Sequence, residues 1–367
     1  MDLAWLAGAE GQAAIEALRG VDPLRARALH PELSIERLTD ALGQAAHKPV
    51  DFPLPLVTPD GIQQSTPVAV ALRRAQRLAL TQDTVIDTGC GVGVDAWAFQ
   101  QAGLTVVAFE QDPLTAAIAR ANGIDVTCAD ATGVELPPGC VYTDPARRKA
   151  HRSTHGQAIR THDPQHWQPP WDWVLAHAQV ARVAPGLREI PENAEWHCSS
   201  IRRSLVDATV WFAPLDQVDR RASVLHHGVW HELTGPAAPA QTGDVGEYIV
   251  DPDPAIVRAG LVSNLGGRLL DPKLAFVTFD EQPEAWVGRA MRVLEEVPLK
   301  AVAAACRRLG MQRVTVWARG FDPVPRLGLR EGQDGIVVMA RLGSRRVARA
   351  WIGTPVSPAG GAFSPGL

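Results

Sequence analysis

Residues 85–99 read VIDTGCGVGVDAWAF, an apolar start followed by three glycines within five positions, Gly89, Gly91 and Gly93. Glycine inside regular structure is worse than alanine by roughly 0.5–1 kcal/mol. Three in such close succession therefore predict a turn whose backbone closely approaches something else. The residues before it predict a strand and those after it a helix, and a glycine-rich turn between the two is a nucleotide-site device. The spacing Asp87-x-Gly89-x-Gly91-x-Gly93 is not the GxGxxG pattern. An acid two residues before the first glycine suits a ligand that carries an amine rather than a pyrophosphate.

Working outward, the same alternation recurs. TVIDTG (84–89), LTVVAFE (104–110), IDVTCAD (124–130) and GCVYTDP (139–145) predict strands; VDAWAFQQAG (94–103) and PLTAAIARANG (113–123) predict helices. WDWVLAHAQVARVAPG (171–186) predicts a helix then a strand, and EWHCSS (195–200) and LVDATVWFAPL (205–215) predict closing strands. Strands separated by helices predict βαβ units, with a parallel sheet covered on both faces. Glu110 ends the second strand, 17 residues beyond Gly93, with Gln111 beside it; a carboxylate there can accept from both hydroxyls of a ribose. Asp130 ends the third strand, where it can accept from an adenine amino group. The polar, His- and Pro-rich segment 146–170 is long for a structureless connection and is a candidate functional loop.

Both flanks differ from this core. Residues 1–48 show helical spacing and predict two or three helices, and 49–60 form a proline-rich connector. GIQQSTPVAVALRRAQRLAL (61–80) reads as one helix starting near Thr58 or Asp60, with Arg73, Arg74 and Arg77 on its polar face. Beyond about residue 220 the pattern becomes a mixture of strands and helices. The expected organisation is a helical region 1–50, an α/β domain 51–220, a small α+β domain 221–355 and a flexible tail 356–367.

The 367 residues suit two or three domains, and 46 % apolar with 21 % charged residues is a globular composition. There is no apolar run of membrane length and no basic start before an apolar core, so the expectation is a cytoplasmic protein without a membrane partner. The five cysteines include no CxxC pair, which fits a reducing compartment and gives no zinc site. His151, His155, His162 and His166 have no second ligand cluster at metal spacing, so no metal is expected. The formal net charge is −4, yet residues 251–355 hold 16 Arg/Lys against 11 Asp/Glu. That local excess points weakly to nucleic acid, with Arg307, Arg308, Arg313, Arg319, Arg345, Arg346 and Arg349 as candidate phosphate contacts, or it is an ordinary solvated surface.

An amine-facing acid, a ribose acceptor and an adenine acceptor together describe S-adenosylmethionine, and residues 58–215 resemble the class I S-adenosylmethionine-dependent methyltransferases. Asp87-Thr-Gly89-Cys-Gly91-Val-Gly93 matches their first motif and Phe109-Glu110 their second. The resemblance implies a Rossmann-like seven-stranded sheet, with cofactor and substrate at the C-terminal ends of its strands. It also implies that Gln64 and Thr66 fall where related enzymes cover the methionine end of the cofactor. VYTDPARRK (141–149) lies where amino-directed members carry Asp/Asn-Pro-Pro-aromatic. Asp144-Pro145 matches the first half of that pattern, and Ala146-Arg147 departs from it. Asp144 is thereby the candidate to hold and orient an acceptor amine, with Pro145 beside it. Trp167, Trp171 or Trp173 is the candidate to supply the missing stacking ring, or else these tryptophans only anchor the loop. Arg147 and Arg148 are candidates for the substrate's phosphates, or they pair with acids of the protein.

DPARR (144–148) and VAPG (183–186), followed by ATVWFAPL (208–215), RRASVL (220–225), DPDPAIVRAGLV (251–262), GGRLLDPKLAFVT (266–278) and VLEEVPLKAVAAACRRLG (293–310), resemble a narrower bacterial group with a C-terminal THUMP-like domain. This likeness covers about residues 55–352 and implies a role connected with RNA. Three functions are compatible with the sequence. The first is methylation of a base nitrogen in RNA, with the C-terminal domain helping to bind it. The second is methylation of a small molecule, with that domain as a lid. The third is noncatalytic RNA binding by a chain that has kept the cofactor.

Overall fold

The computed structural model describes residues 1–146, 148–152, 158–160, 163–187, 189–344 and 346–356, with the backbone alone for 148–152 and 158–160. The chain divides into two compact units, residues 1–194 with 206–215, and residues 195–205 with 216–367. The tail expected to be flexible lies, from residue 357 onward, outside the described residues.

The first unit opens with four short helices, α1 (Leu3–Ala7), α2 (Ala9–Ala17), α3 (Pro23–Leu29) and α4 (Ile35–His47). Each of α1, α3 and α4 starts where a side chain satisfies a free backbone N–H: Asp2 accepts from Trp5, Asp22 from Leu24 and Ser34 from Arg37. Next come α5 (Pro59–Gln64), α6 (Val68–Leu78), β1 (Thr84–Asp87), α7 (Val94–Gln101), β2 (Thr105–Glu110), α8 (Pro113–Ala121), β3 (Val126–Cys128) and β4 (Cys140–Thr143). Then follow β5 (Arg148–Arg152), β6 (Ala158–Arg160), α9 (Trp171–His177), β7 (Val180–Arg182) and, after β8 (Ala194–Ile201), which falls almost wholly in the second unit, β9 (Ser204–Phe212).

The single helix expected over 61–80 is two. Pro67 lacks the N–H that would bond four residues back, and it forces the residue before it out of helical geometry. The chain therefore breaks after α5 and restarts at α6, leaving Ser65-Thr66-Pro67 extended between them. The expected loop 146–170 holds a short antiparallel pair, β5 with β6.

Within the first unit the sheet order is β3-β2-β1-β4-β7-β9. The pairs β1–β2, β2–β3, β1–β4 and β4–β7 are parallel, and β9 runs antiparallel to β7. Chain order reverses beside β1, which has β2 on one side and β4 on the other. In such sheets the crevice beyond the strand C-termini at this switch point is where ligands bind. Six strands of this sheet lie in the first unit; of the two closing strands β9 falls within it and β8 in the second unit. Its core joins the N-terminal helices to the sheet through Leu6, Ile15, Leu78, Val85, Phe99, Tyr142 and Trp211, with Phe99 edge-on to Tyr142 at 5.2 Å.

The second unit contains β8, β10 (Arg220–His226) and β11 (Val229–Gly235), in which β10 pairs in parallel with β8 and antiparallel with β11. It continues through β12 (Tyr248–Pro252), α10 (Pro254–Ala259), β13 (Arg268–Asp271), β14 (Leu274–Phe279), β15 (Gly288–Val297), α11 (Val302–Arg308), β16 (Arg313–Arg319), β17 (Arg330–Glu331), β18 (Gly335–Leu342) and β19 (Val347–Pro355). The last eight strands form a mixed sheet, β13-β14-β12-β15-β19-β18-β16-β17. It buries Trp351, Phe276, Met291 and Val338 on one side and Val337, Met339 and Cys306 on the other. This is a larger part of the molecule than the small α+β domain expected.

Candidate active site

The glycine turn forms because β1 must hand the chain to α7 within six residues. Gly91 and Gly93 sit at φ +55° and +100°, and Gly93 caps α7 in the left-handed region. A Cβ on Gly93 would meet Ile124 Cγ1 at 2.6 Å, so this glycine is needed for packing. A Cβ on Gly89 or Gly91 would meet nothing within 4 Å. These two border open space, and it is a cavity of about 320 Å³.

The cavity is walled by the ends of β1, β2, β3, β4 and β7 and by α5. Ten residues singled out in the sequence line it: Gln64, Thr66, Asp87, Gly89, Gly91, Glu110, Gln111, Asp130, Asp144 and Pro145. Asp87 is 1 % exposed. Its Oδ1 accepts from the Gly89 N–H at 3.2 Å, and its Oδ2 has no partner. Burial, reinforced by Asp95 and less strongly by Asp144 and Glu110, pushes its carboxyl well above the usual carboxylate range. Glu110 accepts from the backbone N–H of Gly91 at 3.0 Å and of Asp112 at 2.9 Å, tying the second strand to the glycine turn. Asp130 accepts from the N–H and hydroxyl of Thr132, which fixes its position at the end of β3. Gln111 accepts at 3.0 Å from Gln168, a wall residue not foreseen.

Asp144 leaves β4 half-buried and accepts from Arg182 Nη1 at 2.6 Å. The same arginine donates to the Gln64 carbonyl at 2.9 Å and, through Nε, to Asp207 Oδ1 at 3.0 Å. Asp207 in turn accepts from Arg74 Nη2 at 3.0 Å. Arg74 Nη1 donates to Asp95 Oδ1 at 2.5 Å and to the Tyr142 hydroxyl at 3.0 Å, and Thr66 donates to Asp95 Oδ2 at 2.6 Å. Burial opposes the charge on Arg182 and on Arg74; the surrounding acidic groups, Asp144 and Asp207 for Arg182, Tyr142, Asp207 and Asp95 for Arg74, more than offset it and raise both guanidiniums above their ordinary value. The network runs without a break from the interior to Asp144.

This network was not read from the sequence. Arg74 had been expected on the polar face of a helix; it is 4 % exposed, because two buried carboxylates need it. The available signals were Asp207 inside a mostly apolar strand and Arg182 at the end of the strand next to β4. Trp167 and Trp171 are buried, 5.7 Å apart edge to face, and neither lines the cavity. Gly93 does not line it either. Arg147 lies outside the described residues, and Arg148 is described as backbone only, at the start of β5. Of the candidate phosphate contacts in the second unit, Arg313 pairs with Asp334 at 3.0 Å, Arg319 with Asp251 at 2.7 Å and Arg349 with Glu296 at 2.7 Å. Arg308 is bonded to Glu295. Arg345 and the residues His155 and His162 lie outside the described residues. Among the described residues no group of three or more His, Cys, Asp or Glu is placed to hold a metal ion, and no helix is long and apolar enough to cross a membrane.

No family model matches the chain. An uncharacterised S-adenosylmethionine-dependent methyltransferase of Mycobacterium tuberculosis, found in two strains, is 32 % identical over 317 residues, covering 79 % of this chain and 85 % of the relative. The chain belongs to the S-adenosylmethionine-dependent methyltransferases. A proposed methyltransferase from Porphyromonas gingivalis has the same fold along nearly the whole length of this methyltransferase: TM-score 0.71, 15 % identity, 94 % of this chain and 97 % of that one. The cofactor is therefore S-adenosylmethionine, and the cavity fits it. Asp87 offers it a buried carboxylate oxygen with no partner, a group that can accept from an ammonium, and Gly89 and Gly91 leave room beside it. Bound there, the cofactor supplies a methyl carbon already activated by its sulfonium.

Proposed function

We propose that this methyltransferase transfers the methyl group to a nitrogen of a base in RNA, and that the second unit contributes to holding the RNA. The observation that carries this reading is Asp144, in the cavity of the glycine turn and bonded to Arg182 at 2.6 Å. Asp87, Gly89, Gly91, Glu110, Gln111 and Asp130 hold the cofactor in this reading, with Gln64 and Thr66 closing over its methionine end. Methyl transfer to an activated carbon needs chiefly a positioned nucleophile. A carboxylate held by an arginine is a poor base but a fixed acceptor. Asp144 accordingly accepts an N–H from the amine and turns its lone pair toward the methyl carbon; the N–C bond would form as the S–C bond of the sulfonium breaks, and the extra proton on nitrogen would then pass to solvent water. Pro145 shapes the wall beside it.

A small-molecule acceptor is the second reading. It is favoured by the acid partners of Arg308, Arg313, Arg319 and Arg349, which leave those charges less available to a phosphate chain. Mass spectrometry of nucleosides in total RNA from cells with and without the protein separates the two. A methylated base that disappears with the protein supports RNA; unchanged RNA, together with methylation of a metabolite extract by the purified enzyme, supports the small molecule.

A further inference from the structure

The second unit has a cavity of its own, about 480 Å³, within the range of small-ligand sites. Its walls are mostly apolar, and Trp286 and Trp317 supply the largest flat surfaces. Three buried polar atoms on residues that line it have no hydrogen-bond partner: Arg203 Nη1, Asp253 Oδ2 and Trp317 Nε1. Asp253 is 1 % exposed and Trp317 5 %. The other oxygen of Asp253 is occupied, accepting from Ser200 at 2.5 Å and from the Ala255 N–H at 2.8 Å. A buried polar group without a partner costs about 1–3 kcal/mol, more if charged, so three around one cavity call for a ligand that supplies both donors and acceptors.

The charges specify the ligand further. Arg202, Arg203 and Arg289 line the cavity. Behind them Asp251 accepts from Arg289 at 2.6 Å, from Arg319 at 2.7 Å and, at the looser distance of 3.4 Å, from Arg203. Three guanidiniums thus share one carboxylate, and among the described residues Arg202 has no carboxylate partner. The cluster is short of negative charge. Arg289 also lies over the Trp317 ring, 4.7 Å from its centre, which sets the cation beside a flat apolar surface. Arg202 and Arg203 have φ +49° and +61° in the two-residue turn that joins β8 to β9. Side-chain-bearing residues strain that region, where Asn and Gly are the usual choices. Two arginines are kept there despite the strain.

We propose that this cavity binds a nucleoside monophosphate unit. The base lies against the tryptophan surface, donating to Asp253 Oδ2 and accepting from Trp317 Nε1, and the phosphate is held by Arg203, Arg289 and Arg202. Guanidinium forks match phosphate oxygens, and aromatic rings stack any base. The unit comes either from a free nucleotide or from one residue of an RNA strand. The binding is independent of the acceptor assigned to the first unit.

The test is calorimetry on the full chain saturated with S-adenosylhomocysteine, so that the first cavity is filled. The probes are the four nucleoside 5′-monophosphates, the matching nucleosides and a single-stranded RNA hexamer. The expected result is one monophosphate bound per chain, about tenfold or more tighter than its nucleoside, the scale of a charged hydrogen bond. Arg289→Gln and Trp317→Phe each weaken it about tenfold while leaving S-adenosylhomocysteine affinity unchanged; Trp317→Phe, at a buried ring, also lowers the melting temperature. A hexamer that displaces the monophosphate identifies RNA as the source; a monophosphate that the hexamer cannot displace identifies a free nucleotide. Absence of saturable binding up to millimolar probe, nucleosides binding as tightly as monophosphates, or binding undiminished in both variants overturns the proposal.

Discussion

At the scale of single residues, the proposed reading divides the chemistry between two carboxylates. Asp87 is buried with one oxygen unpartnered, a state that favours its protonated form until a cation arrives. For cofactor binding the sign is fixed. The ammonium group needs Asp87 ionised, so at any pH below its raised value in the free protein binding releases a proton, and affinity falls as pH falls. Titrations across the acidic range in buffers of different ionisation enthalpy read this release, and Asp87→Asn is expected to abolish it and to weaken binding about tenfold or more. Asp144 has the other task. Asp144→Ala is expected to lower the transfer rate by roughly 10²–10⁴-fold, the range of a positioned acid–base group, with cofactor affinity kept. Radiolabelled methyl transfer followed alongside calorimetry checks it, and unchanged transfer would remove Asp144 from the reaction.

At the scale of elements, the site depends on two junctions. One is the turn from β1 to α7, where Gly93 combines φ +100° with the close approach of Ile124. Gly93→Ala is expected to destabilise the first unit by about 1–3 kcal/mol, the cost of a strained left-handed residue, read as a lower midpoint in urea. The other junction is the contact of α6 with β4 and β9 through Arg74, which bonds Asp95, Tyr142, Asp207 and Thr209. Arg74→Met would leave Asp95 and Asp207 buried with less compensation, at a cost of about 3–5 kcal/mol. Arg182 would remain on Asp207, so the expected pattern is a large loss of stability with a smaller loss of cofactor affinity in whatever remains folded. Equal losses in both would show that Arg74 also shapes the cavity.

For the whole molecule, an overall charge of −4 on the chain contrasts with an arginine-rich second unit in which Arg308, Arg313, Arg319 and Arg349 each pair with an acid. If RNA is the substrate, its binding is expected to weaken with salt, with a logarithmic slope of about −0.7 per phosphate contact on a single strand. Filter binding between 50 and 200 mM salt, a window of roughly the kind used to expose such contacts, measures the slope. A slope near zero would shift weight to a small-molecule acceptor.

What the sequence determined by itself was local. The glycine turn after the first strand and the acids Asp87, Glu110, Asp130 and Asp144 were legible as one end of the sheet, and apart from Gly93 they line one cavity, because strand ends and turns are fixed by residues near one another in the chain. The start of α5, capped by Thr58 before a proline, was legible for the same reason. Only the folded chain decided which charges meet. Arg74 and Asp207 are 133 positions apart, Arg182 and Asp144 are 38 apart, and nothing in a local pattern separates a buried ion pair from a solvated charge. For the tryptophans of the 167–171 segment the sequence left a stacking role and a loop anchor both open. Their burial against each other depends on where the chain returns after β4, and the second cavity likewise exists only because a hairpin turn, a strand end and a helix cap converge in space.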